Sequence, residues 1–480
     1  MLTTGERLPM KAPGVFLLVS CLLPGLSRGA APSKHSDFAV MGTAKILCSA
    51  IFVSGRDLDE ALGASGSLFL TPRDYRLLLS QRAEAIEVNR EASEVRVTLA
   101  GYTGIARYHG DQGCVILPPG FNKVFFKPVK LTTILPDAMS QDWPMGDRQP
   151  AGPPSPVNAT KLQEVVDAAF ESRSLTAAFL VVHKGRIIAE QYAQGAHKDM
   201  QLESWSMGKS LTATLTGLLV NEGRFRLHDP APVALWRKDP EDPRSRIRVS
   251  DLLRMSSGLR FSHAAQPEWE WGRSIPDHLY IYTGAIDAFH FSITRPPEFP
   301  PNTVGRYRNS DPLTLGFLIR QAVEEQGENY LAWPQKALFD SIGIRKQVLE
   351  PDPYGNFLLS GYDYGTARNW ARLGVLYLQD GVWNGRRLLP EGWVSFVSAP
   401  APGWKEAVYG GQFWVNGGKL WRSLPAETFH MAGAGGQYVI IVPRHNLVVV
   451  RMGHTQGDRF AEESLNQALD KLIKALPGAS

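Results

Sequence analysis

Apolar positions along this 480-residue chain recur with periods that change from segment to segment. Arg7 and Lys11 precede an apolar run from Ala12 to Leu26, and small residues follow at Ser27-Arg28-Gly29-Ala30. Basic, apolar and small residues in that order predict a secretory signal peptide over residues 1–30, because spanning a bilayer takes about 20 apolar residues. No later segment supplies about 18 uninterrupted apolar residues, so no membrane span is expected. Residues 37–130 open with Ala44-Lys45-Ile46-Leu47-Cys48 and an apolar run to Val53, then a helix pattern around Leu58–Ala64. Alternation in Ala85-Ile86-Glu87-Val88 and Glu94-Val95-Arg96-Val97-Thr98-Leu99 predicts strands. This stretch reads as a small N-terminal α/β accessory domain. Residues 131–156 read as a Pro-rich linker, since Pro136 to Pro156 holds four more prolines and little period.

From Val157 to residue 480 the pattern is that of a second domain. A helix is predicted at Lys161–Ser172, then a hairpin of Ala178–Val182 and Ile187–Gln191 turning at His183-Lys184-Gly185-Arg186. The charge-poor stretch from Ser206 to Val220, rich in small residues, predicts a helix buried on nearly all sides. Further helices fit Asp311–Glu325 and Thr366–Leu378. Strands Tyr438–Val442 and Leu447–Met452, joined by Pro443-Arg444-His445-Asn446, precede a closing helix at Ala461–Leu476. The expected fold class is α+β: an antiparallel sheet flanked by terminal helices, with a helical subdomain inserted between its halves.

Composition changes this picture little. Hydrophobic residues at 44% and charged residues at 20% describe a globular protein with a sizeable core. A net charge of +4 without a basic, aromatic-interleaved run argues against nucleic acid as a partner. Cys21 sits in Leu18-Val19-Ser20-Cys21, which resembles a bacterial lipoprotein box. The apolar run continues past it through Leu22 and Leu23, which favours ordinary cleavage near residue 29 over a lipid anchor at Cys21. An exported protein, periplasmic or secreted, is expected. Export leaves Cys48 and Cys114, with one disulfide and two separate buried thiols as the alternatives. Two cysteines and scattered histidines show no metal-site spacing, so no metal and no cofactor are expected.

Ser206-Met207-Gly208-Lys209 is the only Ser-x-x-Lys in the chain. On a helix, positions three apart share a face, so the amine can reach the hydroxyl. A free serine is a weak nucleophile and needs such a neighbour, and a buried lysine is driven toward the neutral form that accepts a proton. No Gly-x-Ser-x-Gly elbow competes with this reading.

Further marks follow in order: Val249-Ser250-Asp251-Leu252-Leu253-Arg254-Met255-Ser256-Ser257-Gly258-Leu259, Tyr307-Arg308-Asn309, Asp363 to Gly374, and His430-Met431-Ala432-Gly433-Ala434-Gly435-Gly436-Gln437. In these marks, over about residues 155–475, the chain resembles the serine beta-lactamase-like hydrolases. That group takes in beta-lactamase-related proteins, D-Ala-D-Ala peptidases, family VIII carboxylesterases and 6-aminohexanoate-oligomer hydrolases. The resemblance implies Ser206 as nucleophile, Lys209 as its activator, and Tyr307 as general base and then acid. Which of Lys209 and Tyr307 is the base stays open here. Asn309 would orient Lys209 or a substrate carbonyl, or else serve as a helix cap. A second Tyr-x-Asn, Tyr354-Gly355-Asn356, sits in a turn signal and is set aside.

His430 occupies the place of the family's Lys/His-Thr-Gly strand, but the hydroxyl-then-glycine pair is replaced by glycine and alanine. Backbone N–H groups of Ser206 and of Gly433 to Gly435, Ala434 above all, would then form the oxyanion hole. Glu268 and Glu270 read as solvated charges between tryptophans. Trp205, Trp271 and Trp414 read as pocket liners. The expected activity is cleavage of a small-molecule carboxylic ester or linear amide through an acyl-enzyme. A true beta-lactamase or D-Ala-D-Ala carboxypeptidase, and a non-catalytic binding protein of the same fold, are the alternatives. Residues 37–130 would shield the pocket or mediate a homodimer.

Overall fold

The computed structural model describes residues 35–150, 157–263 and 275–477. The predicted signal peptide with Cys21, the end of the linker, and Glu268, Glu270 and Trp271 lie outside the described residues.

The N-terminal unit starts with helix α1 (His35–Phe52), followed by α2 (Leu58–Ala64), α3 (Pro72–Ser80) and α4 (Arg82–Ala85). Asp57 and Thr71 cap α2 and α3 by accepting backbone N–H bonds. Val40, Ala44, Leu47 and Ile51 recur three and four apart on α1 and bury one face. That face covers a four-stranded antiparallel meander of β1 (Ile86–Asn89), β2 (Glu94–Leu99), β3 (Tyr102–Tyr108) and β4 (Cys114–Ile116). Gly104 lets the two layers touch, since a Cβ there would stand 2.5 Å from Met41 Cα. Helices followed by consecutive antiparallel strands make this unit α+β, correcting the α/β expectation. Cys48 and Cys114 are bridged, tying α1 to β4.

Residues 131–150 carry little regular structure and are strapped to the second domain. Trp143 is buried, the Arg345 guanidinium donates to the carbonyls of Pro136 and Met145, and that of Arg372 donates to those of Pro144 and Gly146.

In the second domain, α5 (Ala159–Ala169) leads into β5 (Thr176–His183) and β6 (Arg186–Tyr192), then the short β7 (Leu202–Glu203) and α6 (Gly208–Asn221). The inserted helical part follows: α7 (Val249–Leu253), α8 (Asp277–Thr283), α9 (Ala288–Ile293) and α10 (Ser310–Glu324). Strands β8 (Val348–Leu349) and β9 (Asp363–Gly365), helix α11 (Ala367–Leu378), the hairpin β10 (Val382–Trp383) and β11 (Arg386–Arg387), and α12 (Trp393–Ser398) come next. The chain returns through β12 (Trp414–Val415), β13 (Phe429–Gly433), β14 (Gln437–Val442) and β15 (Leu447–Gly453) to α13 (Asp458–Ala475). The main sheet has the antiparallel order β12-β13-β14-β15-β5-β6.

Period-two alternation divides the sheet's side chains between two cores. Leu180, Val182, Val439, Ile441, Val448 and Val450 face one side with α11 and α6. Phe179, Val181, Ile440, Val442, Leu447 and Val449 face the other with α5 and α13. Among the described residues no helix is long and apolar enough to cross a membrane.

Candidate active site

Ser206 sits in a 3-10 turn (Trp205–Met207) that runs directly into α6. Every residue from Gln201 to Leu219 is buried except Ser206, so the hydroxyl is the one accessible point on a sealed stretch. Trp205 takes a left-handed backbone, φ 49°, a conformation that costs a non-glycine residue energy and aims its successor. Its indole is buried against Tyr282 and Tyr362 rather than lining an open pocket, which corrects the pocket-liner expectation for Trp205.

Lys209, one turn into the helix, places Nζ 2.9 Å from Ser206 Oγ and donates to the Ser360 carbonyl at 2.6 Å. Burial drives its amine well below the ordinary 10.5, with Asp363 pulling the other way. Burial likewise holds Asp363 well above the carboxylate range. Both groups are therefore favoured in their neutral forms, and Asp363 accepts a hydrogen bond from Ser204 Oγ.

Burial raises the Tyr307 phenol above the usual 10.0, and the neighbouring Ser206 side chain pulls it the other way. Its ring centroid lies 4.8 Å from Lys209 Nζ. The same ring stacks on Trp414 and touches Tyr409, His263 and His278. Hydroxyl, amine and phenol from two distant stretches thus meet at one point. Tyr354 is exposed in a turn beside Phe125, so the second Tyr-x-Asn has no part in this cluster.

Asn309 is fully buried and does not cap α10 with its side chain. Its Nδ2 donates to Tyr282 Oη at 3.2 Å and lies 3.1 Å from His278 Nδ1. Tyr282 in turn donates to the Ser360 carbonyl at 2.7 Å, the same oxygen that holds Lys209. Asn309 therefore reaches Lys209 through two intermediaries and not by direct contact.

Strand β13 brings its last residue against the nucleophile. A Cβ on Gly433 would stand 2.1 Å from the Ser204 carbonyl and 2.9 Å from the Ser206 nitrogen, so only glycine fits. Ala434 is buried next to it, and Gly435 and Gly436 adopt left-handed φ of 82° and 69°. The Arg451 guanidinium holds this turn by donating to the carbonyls of Gly435 (2.8 Å) and Gly436 (2.6 Å). His430 does not join them. It lies three residues before Gly433 on a strand, hence on the opposite face, packed against Trp421 and Tyr438 in the second core. Burial there lowers its pKa to about 3. The His430 ring thus points away from Ser206.

The motifs missed Ser204, Tyr282 and Ser360, took Asp363 only as the start of a helix mark, and missed the pair His263 and His278, whose rings lie 4.1 Å apart beside Tyr307. Burial keeps His263 near pKa 4 and His278 well below 6.5, so both are neutral.

The family model described as Beta-lactamase matches residues 160–472. The 6-aminohexanoate-dimer hydrolase of Paenarthrobacter ureafaciens is 26% identical over 330 residues, spanning 64% of this chain and 80% of that protein. A Bacillus anthracis structure proposed to be a 6-aminohexanoate-dimer hydrolase superposes with TM-score 0.53 at 20% identity, over 68% of this chain and 89% of that one. A penicillin-binding-protein homologue from Caulobacter crescentus gives 0.51 at 16% identity, over 67% and 99%. At those identities the two structures speak for the fold alone. With the family model covering more than half of its length, the chain belongs to the Beta-lactamase family of hydrolases.

Proposed function

We propose that the protein is a serine hydrolase that cleaves carboxylic esters or linear amides through an acyl-enzyme on Ser206. The observation that carries this reading is the meeting of Ser206 Oγ, Lys209 Nζ and the Tyr307 phenol at the only accessible point of a buried helix head. The neutral amine of Lys209 takes the hydroxyl proton as Oγ attacks the carbonyl carbon. The N–H groups of Ser206 and of the Gly433–Ala434 turn receive the oxyanion. Tyr307, a neutral phenol, hands a proton to the leaving alcohol or amine and regains one by way of Lys209. Water then attacks the acyl ester, giving the acid and free Ser206. The amide option draws support from the dimer hydrolase relative, and the back-facing His430 leaves no side chain at its place to meet a beta-lactam carboxylate. The Cys48–Cys114 bridge supports export to an oxidising compartment.

The test is labelling of wild type and Ser206→Ala with a fluorophosphonate probe, then turnover of p-nitrophenyl butyrate, the linear 6-aminohexanoate dimer and nitrocefin. The expected result is labelling of wild type alone, with ester or linear amide turned over faster than nitrocefin. Labelling that persists in Ser206→Ala moves the nucleophile elsewhere, and nitrocefin as best substrate makes the protein a beta-lactamase. No labelling at all favours a binding protein.

A further inference from the structure

The N-terminal unit precedes the residues matched by the family, yet it sends a charged side chain deep into the hydrolase domain. Lys45 on α1 pairs with Glu350, 305 residues away, and their side chains are 1% and 0% exposed. A buried ion pair adds little to stability, because removing both charges from water offsets most of their attraction. Its geometry, however, is held from every side.

The Glu350 carboxylate accepts from Ser49 Oγ at 2.8 Å and from the Cys114 N–H at 2.7 Å, so α1 and the disulfide partner both grip it. A Cβ on Gly113 would fall 2.4 Å from Glu350 Oε1, so the N-terminal unit forms a cradle shaped to this carboxylate. On its other side, the Glu350 N–H donates to the Tyr362 carbonyl at 2.9 Å, and the Leu358 N–H donates to the Glu350 carbonyl at 3.0 Å. Lys45 Nζ also lies 4.0 Å over the Tyr362 ring. Residues 358–362 are thereby closed into a loop gripped at both ends. Within it stands the Ser360 carbonyl that holds Lys209, and directly after it comes Asp363, which takes the Ser204 hydroxyl. The loop has little room to drift toward α6: a Cβ on Gly208 would lie 2.2 Å from the Leu359 carbonyl. Arg56 and Ser65 of the same unit hold Glu203, three residues before the nucleophile.

We infer that Lys45 is a positioning residue for the reaction: with Glu350 it sets the 358–363 segment, and through the Ser360 carbonyl it fixes the Lys209 amine on Ser206. The N-terminal unit is then part of the catalytic apparatus and not an appendage. This inference rests on the serine hydrolase reading above.

The test compares wild type with Lys45→Met/Glu350→Gln, which removes both charges while keeping shape, and with the milder Ser49→Ala. Fluorophosphonate titration counts reactive Ser206, and p-nitrophenyl butyrate turnover is expressed per reactive serine. The expected result is kcat per reactive serine lower by about 10- to 100-fold in the double variant, with KM unchanged. In Ser49→Ala the fall is about 2- to 10-fold. A purely structural role predicts fewer reactive serines, each turning over at the wild-type rate, and that result overturns the inference. If the double variant does not fold, unchanged turnover per serine in Ser49→Ala overturns it equally. Wild type that escapes labelling at Ser206 removes the serine hydrolase reading and this inference together. Labelled wild type with unaffected variants removes the inference alone.

Discussion

The ring of Tyr307 lies on that of Trp414, with centroids 5.6 Å apart and planes 22° from parallel. Stacking of this kind contributes about 0.5–1.5 kcal/mol beyond burial and fixes the ring plane, hence the direction of the hydroxyl. Trp414 lies on the short edge strand β12, and Tyr409 packs edge-on against both rings. Tyr307→Phe removes the proton carrier, so kcat on p-nitrophenyl butyrate is expected to fall about 10²- to 10⁴-fold. Trp414→Leu leaves the phenol but frees its ring, and its kcat is expected to fall between wild type and Tyr307→Phe. A Trp414→Leu enzyme as fast as wild type shows that the stack does not aim the phenol.

The approach of Gly433 to the nucleophile makes a second prediction. A methyl group there meets the Ser204 carbonyl and forces β13 away from the Ser206 nitrogen. Gly433→Ala is expected to lose at least about 100-fold in kcat, comparable to loss of one oxyanion donor. Steady-state kinetics on a variant shown to fold by circular dichroism checks this, and a fall below tenfold contradicts it.

Lys209 should make the fold less stable at neutral pH. Its folded-state pKa lies below the 10.5 of the unfolded chain, so between those values the unfolded state binds the extra proton. Each pH unit of that separation costs the folded state about 1.4 kcal/mol, and the penalty fades as pH rises toward 10.5. Lys209→Met, inactive, is therefore expected to melt above wild type at pH 7, with the gap closing by pH 10. Calorimetry across that range measures it. A variant that melts below wild type at pH 7 shows that the amine's hydrogen bonds outweigh its burial.

Much of this arrangement is readable in the sequence, and what is not has definite causes. Ser206 and Lys209 announce themselves because three residues on a helix is one face, and Tyr307 because a periodic helix follows it. The two-core sheet follows from the nearly unbroken apolar runs Tyr438–Val442 and Leu447–Met452, whose side chains need cover on both faces. Strand alternation, applied to His430 and Gly433, shows that they face opposite ways, a signal in the sequence that the motif reading passed over. Ser360 acts through a backbone carbonyl, which no side-chain pattern reports. Tyr282 and His278 come from a helix without a motif of its own. The Lys45–Glu350 pair joins positions 305 residues apart, and only the folded chain brings them together.

If a neutral Lys209 takes the Ser206 proton, acylation of Ser206 must follow the titration of that amine. The rate constant for fluorophosphonate labelling of wild type should rise about tenfold per pH unit and level off at an apparent pKa well below 10.5, while Lys209→Met stays slow and flat. A wild-type rate that keeps climbing to pH 10.5, or a Lys209→Met enzyme with the wild-type profile, would contradict the account.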